Sequence, residues 1–315
     1  MIQIIGAPFD FGGKQPGSRL GPAAIRVADL EKTLRDMGFK TKDCGDLSLT
    51  SALGIDGFPA FDCLLPCMQD LRTWVEKVLT AGDLPVVLGG EHTLAAASVA
   101  AALNQNDERL GLLWIDAHAD VHTPGTSGTQ NIHGMPIGAL RGLESGVKGV
   151  KDAQWSQLLQ VLGPKRLAAS QATWFGLRDV DAPEREQAKK GLPITMHEVD
   201  RYGVEETVRK LDLYWRENGV RRIWISFDVD VLDPILAPGT GTAVRGGLSY
   251  RESHLLAELL REKLDAPGCP YRLVGIDLVE VNPLTDRENE TAKMAVEWIA
   301  SLLGKTILGV NKAPV

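Results

Sequence analysis

Three clusters of acids and histidines stand out because each one follows an apolar run. Val86-Val87-Leu88 leads into Gly89-Gly90-Glu91-His92, and Leu112-Leu113-Trp114-Ile115 into Asp116-Ala117-His118-Ala119-Asp120. Ile223-Trp224-Ile225-Ser226-Phe227 leads into Asp228-Val229-Asp230. Carboxylates packed into one crevice cannot all stay ionised, and cations are the natural remedy. Four Asp and two His supply charge and donors for two divalent ions. So oxygen-rich a set favours Mn²⁺ over the thiolate-rich or closed tetrahedral sites of zinc. Taken singly, an Asp-x-His or Asp-x-Asp is usually a turn, a cap or a solvated pair, and a histidine after Gly-Gly a loop residue. Three clusters together reverse that weighting, as does the placement of four of the six histidines between His92 and His133. His197 and His254 have no such company and read as surface or structural residues.

The elements that must position these groups alternate in type. Ile2–Ile5, Pro85–Leu88, Leu110–Ile115, Thr173–Leu177, Arg222–Phe227 and Leu273–Ile276 read as strands. Pro22 opens a helix in which Val27, Leu30, Leu34 and Met37 recur at helical spacing up to Gly38. Further helices are expected around Leu71–Val78 and Thr93–Leu103, and after the capping box Ser249-x-x-Glu252. This alternation predicts an α/β fold of three layers, α-β-α, with a central, mostly parallel sheet and one domain over 1–315. All three clusters fall at carboxyl ends of strands, where open α/β sheets bind ligands. Strand alternation would put Asp116, His118 and Asp120 on one face, and Asp228 with Asp230.

Composition narrows the partners. A chain of 315 residues buries about three-quarters of its surface on folding, so a metal would serve chemistry rather than folding. With 34 basic and 41 acidic residues the net charge is −7, and no basic stripe offers a footprint for nucleic acid or an anionic membrane. No apolar stretch is long enough to span a bilayer and the N-terminus has no signal-peptide pattern. Cys44, Cys63, Cys67 and Cys269 lack zinc-site or redox spacing and read as reduced thiols of a cytoplasmic protein. Two nucleotide decoys fail: Ile299 stands where Gly304-Lys305-Thr306 would need a glycine, and Val244 where Gly239-Thr240-Gly241 would need one.

The same residues resemble a known family. Gly89-Gly90-Glu91-His92-Thr93, Asp116-Ala117-His118-Ala119-Asp120, and Ser226-Phe227-Asp228-Val229-Asp230 before Leu232-Asp233-Pro234 look like the metal signatures of the ureohydrolases. Within these the match is to the arginase type. It is carried by Asn131-Ile132-His133-Gly134-Met135-Pro136, Gly176-Leu177-Arg178-Asp179-Val180-Asp181, Thr240-Gly241-Thr242 with Gly246-Gly247-Leu248, and Glu280-Val281-Asn282-Pro283. The resemblance runs along essentially the whole chain.

It implies an arginase-like fold and two manganese ions per subunit. One would be held by His92, Asp116, Asp120 and Asp228, the other by His118, Asp116, Asp228 and Asp230. It further implies hydrolysis of L-arginine to L-ornithine and urea by a hydroxide shared between the ions. Asp120 would orient the attack, His133 shuttle a proton, Glu280 bind the guanidinium and Thr242 sit near its nitrogens. His122, Thr129, Asn131, Asp181 and Glu184 would read the amino-acid end. The pattern departs from the family there: His122 stands at a usual Asn, Thr129 at a usual Ser and Gln130 at a usual Gly. Another guanidino or formimino acid is therefore the alternative substrate, among them guanidinobutyrate, agmatine, hydroxyarginine and formimidoylglutamate. Family likeness also implies a homo-oligomer, trimer or hexamer.

Overall fold

The computed structural model describes residues 1–49, 58 and 60–310. Its centre is one sheet of eight parallel strands: β1 (Ile2–Ala7), β2 (Thr41–Asp46), β3 (Leu84–Gly89), β4 (Leu110–Ile115), β5 (Ala172–Leu177), β6 (Leu192–Thr195), β7 (Arg222–Asp228) and β8 (Arg272–Val279). They are ordered β2-β1-β3-β8-β7-β4-β5-β6. Every residue of β3, β4, β5 and β7 is buried, as a parallel sheet covered on both faces requires.

Side chains alternate between two cores. Ile4, Val86, Leu113, Ile115, Ile225 and Ile276 pack on one face, against the helices at Gly21–Val27, Leu30–Asp36, Met196–Glu217, Tyr250–Asp265 and Glu290–Leu302. Ile5, Val87, Leu112, Trp114 and Trp224 pack on the other, against Phe61–Thr80, Leu94–Gln105, Pro136–Leu140 and Val150–Val161. The result is the expected α-β-α arrangement.

Two local readings change and a third holds. The helix opened by Pro22 is two helices, broken at Asp29, whose φ of 64° is left-handed. Both pieces cover the same core, the first with Ala24 and Ile25 and the second with Leu30 and Leu34, while Val27 points to solvent. Two edge strands, β2 and β6, have no counterpart in the sequence reading. The Ser249 capping box is present, Glu252 N–H donating to Ser249 Oγ at 3.3 Å and Ser249 N–H to Glu252 Oε2 at 2.9 Å.

Register sets up the site. β3, β8, β7 and β4 are consecutive in the sheet, and Ile115 pairs with Phe227, Ser226 with Asp277 and Asp228 with Val279. The residues just beyond these four strands therefore face one another across a few ångströms.

Candidate metal centre

The loop after β3 begins with a close approach. A Cβ at Gly90 would lie 2.3 Å from both the N and O of Phe9, so only glycine lets β3 continue into Glu91-His92 beside the first loop. The His92 ring is buried and stacked on Trp114, with centroids 3.8 Å apart and planes 6° off parallel. Its Nε2 lies 2.9 Å from Ser226 Oγ. When Nε2–H donates there, Nδ1 presents a lone pair to Asp116 Oδ2 (3.1 Å), Asp228 Oδ2 (3.1 Å) and Asp120 Oδ2 (3.3 Å).

Asp116 turns its other oxygen the opposite way. Oδ1 is 3.2 Å from His118 Nδ1, which is also 3.1 Å from Asp230 Oδ2. Thus all six residues singled out as ligands come together: His92, Asp116 and Asp120 form one group, Asp116, His118 and Asp230 the other, and Asp228 joins the first through His92. The means differ from the strand alternation expected. β4 ends at Ile115, and Asp116 and Asp228 close turns by accepting the N–H of His118 (2.6 Å) and Asp230 (2.8 Å). Asp120 is brought round by a left-handed φ of 49°, a conformation a non-glycine residue keeps only where its surroundings dictate it.

Burial makes this assembly electrostatically costly. It pushes the Asp228 and Asp230 carboxyls up, helped by neighbouring carboxylates, and Asp120 up to about 7. Burial opposes charge on His92 and His118, yet the carboxylates around them hold both rings well above the ordinary imidazole range. His92 Nδ1 and Asp116 Oδ2 are buried with no hydrogen bond of good geometry. Orphaned donor atoms converging at 3.1–3.3 Å are what a cation would satisfy, and the His/Asp donor set fits a hard or borderline divalent metal.

Glu280 follows β8 with a left-handed φ of 64°. Its Oε1 accepts the His92 backbone N–H at 2.9 Å and lies 3.0 Å from His133 Nδ1. Burial works against charge on His133, but the Glu280 contact outweighs it and pushes the ring up to about 9, not the near-neutral value that suits a shuttle. Thr242 Oγ1 donates to Asp230 Oδ2 at 2.9 Å. A cavity of about 280 Å³ opens over this centre, lined in part by Thr129, Asn131, His133, Thr242 and Glu280. Its outer end carries a third group, His122 with Asp181 and Glu184.

Several contributors escaped the sequence reading. Asp277 accepts from Trp224 Nε1 (2.8 Å) and Ser98 Oγ (3.0 Å) and pairs with Ser226 on the neighbouring strand. Both are polar residues in strands otherwise apolar at that level, which was the available signal. Arg178 donates to the carbonyls of Val231 (3.2 Å) and Val244 (2.8 Å) and so pins the Asp230 loop. His254, as expected, is structural, with Nδ1 2.8 Å from Ser301 Oγ, and His197 is exposed.

Comparison with known proteins gives one consistent answer. The family model described as "Arginase family" matches residues 1–304. The chain is 36% identical to an arginase of Staphylococcus aureus over 98% of both chains, and 38% identical to that of Bacillus subtilis over 98% of this chain and 99% of the relative. The solved structure of Bacillus caldovelox arginase superposes with a TM-score of 0.87 at 34% identity, covering 97% of this chain and 99% of the other.

Proposed function

The chain belongs to the arginase family of amidinohydrolases, and from that premise we propose that it hydrolyses the guanidinium group of L-arginine to L-ornithine and urea with two Mn²⁺ ions. The observation that carries this reading is Asp116, whose two oxygens face His92 Nδ1 at 3.1 Å and His118 Nδ1 at 3.2 Å. One carboxylate serving two donor groups is the arrangement a pair of ions needs. His92, Asp116, Asp120 and Asp228 would hold one, and His118, Asp116, Asp228 and Asp230 the other. When bound, such ions supply water activated for attack near neutral pH.

The remaining steps fall to side chains. Glu280 commits Oε1 to His92 and His133, which leaves Oε2, on the side of Gly241, to take a guanidinium N–H in a charge-assisted hydrogen bond. Asp120 stands between the centre and the cavity to orient the attacking water and accept its proton. His133, held by Glu280 on the cavity lining, is placed to donate a proton to the departing amine. Thr242 Oγ1, on the cavity lining, donates to Asp230 and keeps its lone pairs to accept a guanidinium N–H. Thr129 and Asn131 would meet the substrate's carboxylate at the end of the cavity where Asp181 and Glu184 also stand.

We further read residues 1–315 as one domain of a cytoplasmic homo-oligomer, trimer or hexamer. The deciding experiment is urea release from L-arginine by the metal-stripped protein before and after Mn²⁺ is added. Mn²⁺-dependent urea supports the reading, and none from arginine sinks it. A second reading, turnover of a different guanidino acid, is favoured by the position of His122.

A further inference from the structure

The outer end of the cavity is already occupied by the protein itself. His122 is buried, with Nε2 3.1 Å from Asp181 Oδ2 and 3.4 Å from Glu184 Oε2, and Nδ1 3.0 Å from Thr126 Oγ1. Both ring nitrogens are thus engaged, and neither is offered to a ligand. Glu184 is equally committed: Oε1 accepts the Val121 N–H at 3.0 Å and Oε2 the Asp181 N–H at 3.2 Å. Glu184 therefore has little accepting capacity left for a ligand, and Asp181 shares its own with the ring.

Two carboxylates at a cavity mouth make a receptor for an ammonium group, whose N–H donors they accept. Here a ring N–H fills that receptor, and an imidazole can donate from Nε2 whether neutral or charged. The shorter amide of an asparagine would leave the acids to the substrate. On the same cavity wall stands Lys14, an exposed cation on the loop after β1, which matches a carboxylate.

We infer that His122 takes the place of the substrate's α-ammonium group, so that ω-guanidino carboxylates without an α-amino group are accepted on terms comparable with arginine, Lys14 meeting their carboxylate. The inference rests on the amidinohydrolase reading above and names its substrate class more closely. Arginine is then a substrate whose α-ammonium contributes little.

The matched pair is arginine and 5-guanidinopentanoate, which differ only in that group. For the Mn²⁺-loaded protein, kcat/KM for the two differs by less than about tenfold, a gap equal to about 1.4 kcal/mol. His122→Asn frees the acids and shifts the ratio towards arginine by about 10–100-fold, the worth of one charge-assisted hydrogen bond. Lys14→Ala, at an exposed position, costs the two acids at least about tenfold more than it costs agmatine, which has no carboxylate.

Binding supplies a readout apart from turnover. Calorimetric dissociation constants of ornithine and 5-aminopentanoate differ by less than about tenfold in the parent, and His122→Asn shifts their ratio towards ornithine as it shifts the kinetic one. A parent preference for arginine above tenfold, or a ratio that His122→Asn does not move, overturns the inference. Absence of urea from every guanidino compound overturns the hydrolase reading instead, and the binding ratio still decides the role of His122.

Discussion

Replacing Ser226 with alanine tests whether the His92 ring is set up to face a cation. Ser226 is fully buried, and its Oγ, 2.9 Å from Nε2, is the hydrogen-bond partner of that side of the ring. Trp114, stacked at 3.8 Å, keeps the ring from swinging towards another. Without Oγ the protein has two options. It can bury an unsatisfied N–H, at a cost of about 1–3 kcal/mol. Or it can move the proton to Nδ1, among three carboxylate oxygens at 3.1–3.3 Å, where it competes with the metal. Either way, Mn²⁺ affinity at the His92 end falls about 10–100-fold, the usual effect of losing the partner behind a ligating histidine, or about 1.4–2.8 kcal/mol. The His118 end keeps its donors. Calorimetric titration of the stripped protein with Mn²⁺ should show one weakened step and one unchanged. Both dissociation constants within twofold of the parent would refute the reasoning.

Other consequences are equally direct. Burial pushes the Asp277 carboxyl up to about 6 against the hydrogen bonds of Trp224 and Ser98, while in the unfolded chain it titrates near about 4. Between those values the native state holds a proton the unfolded state has released, so this group's contribution falls as pH rises through the window. Asp277→Asn lacks that loss. Its stability relative to the parent, from urea denaturation in chelator, rises by about 1–3 kcal/mol between pH 4 and pH 7, and a flat difference contradicts it. Gly275→Ala would put a Cβ 2.0 Å from Cζ3 of the buried Trp224 ring. A loss of about 3 kcal/mol or more, read from the denaturant midpoint, is expected from such overpacking. Removing metal with chelator abolishes urea release but leaves the far-UV circular dichroism intact, because the two apolar cores that hold the strands and helices need no metal to form. Returning Mn²⁺ to about 100 times its dissociation constant stabilises the fold by about 2.7 kcal/mol, seen as a higher Tm.

What the sequence made legible follows from how signals are written in it. The inner strands are continuous apolar runs ending in acids and histidines, so both the layers and the six clustered residues could be read. β2, Thr-Lys-Asp-Cys-Gly-Asp, is an edge strand with little to bury, and β6 is four residues long with Pro193 inside it. β2 carries no periodic pattern, and the alternation of Leu192 and Ile194 in β6 is too short to stand out. The break at Asp29 was hidden because helical spacing reports which face is buried, not whether the backbone is continuous. Strand alternation gave the right grouping of Asp116, His118 and Asp120 for a wrong reason, since turns closed by carboxylates do the work. The engagement of His122 lay beyond reach because its partner Asp181 is 59 residues away, and only the tertiary fold says which way a ring nitrogen points.

The position of β8 has a consequence for assembly in time. It is the last of the eight sheet strands to be synthesised, yet it lies between β3 and β7. Until it is inserted, the sheet exists as two separate blocks, β2-β1-β3 and β7-β4-β5-β6. His92 hangs from the first, and Asp116, His118, Asp120, Asp228 and Asp230 from the second. A nascent chain on the ribosome therefore carries the parts of the centre without the centre. Joining His92 to the other five must wait until some 280 residues have emerged and the keystone strand, with Glu280 at its tip, has closed the gap.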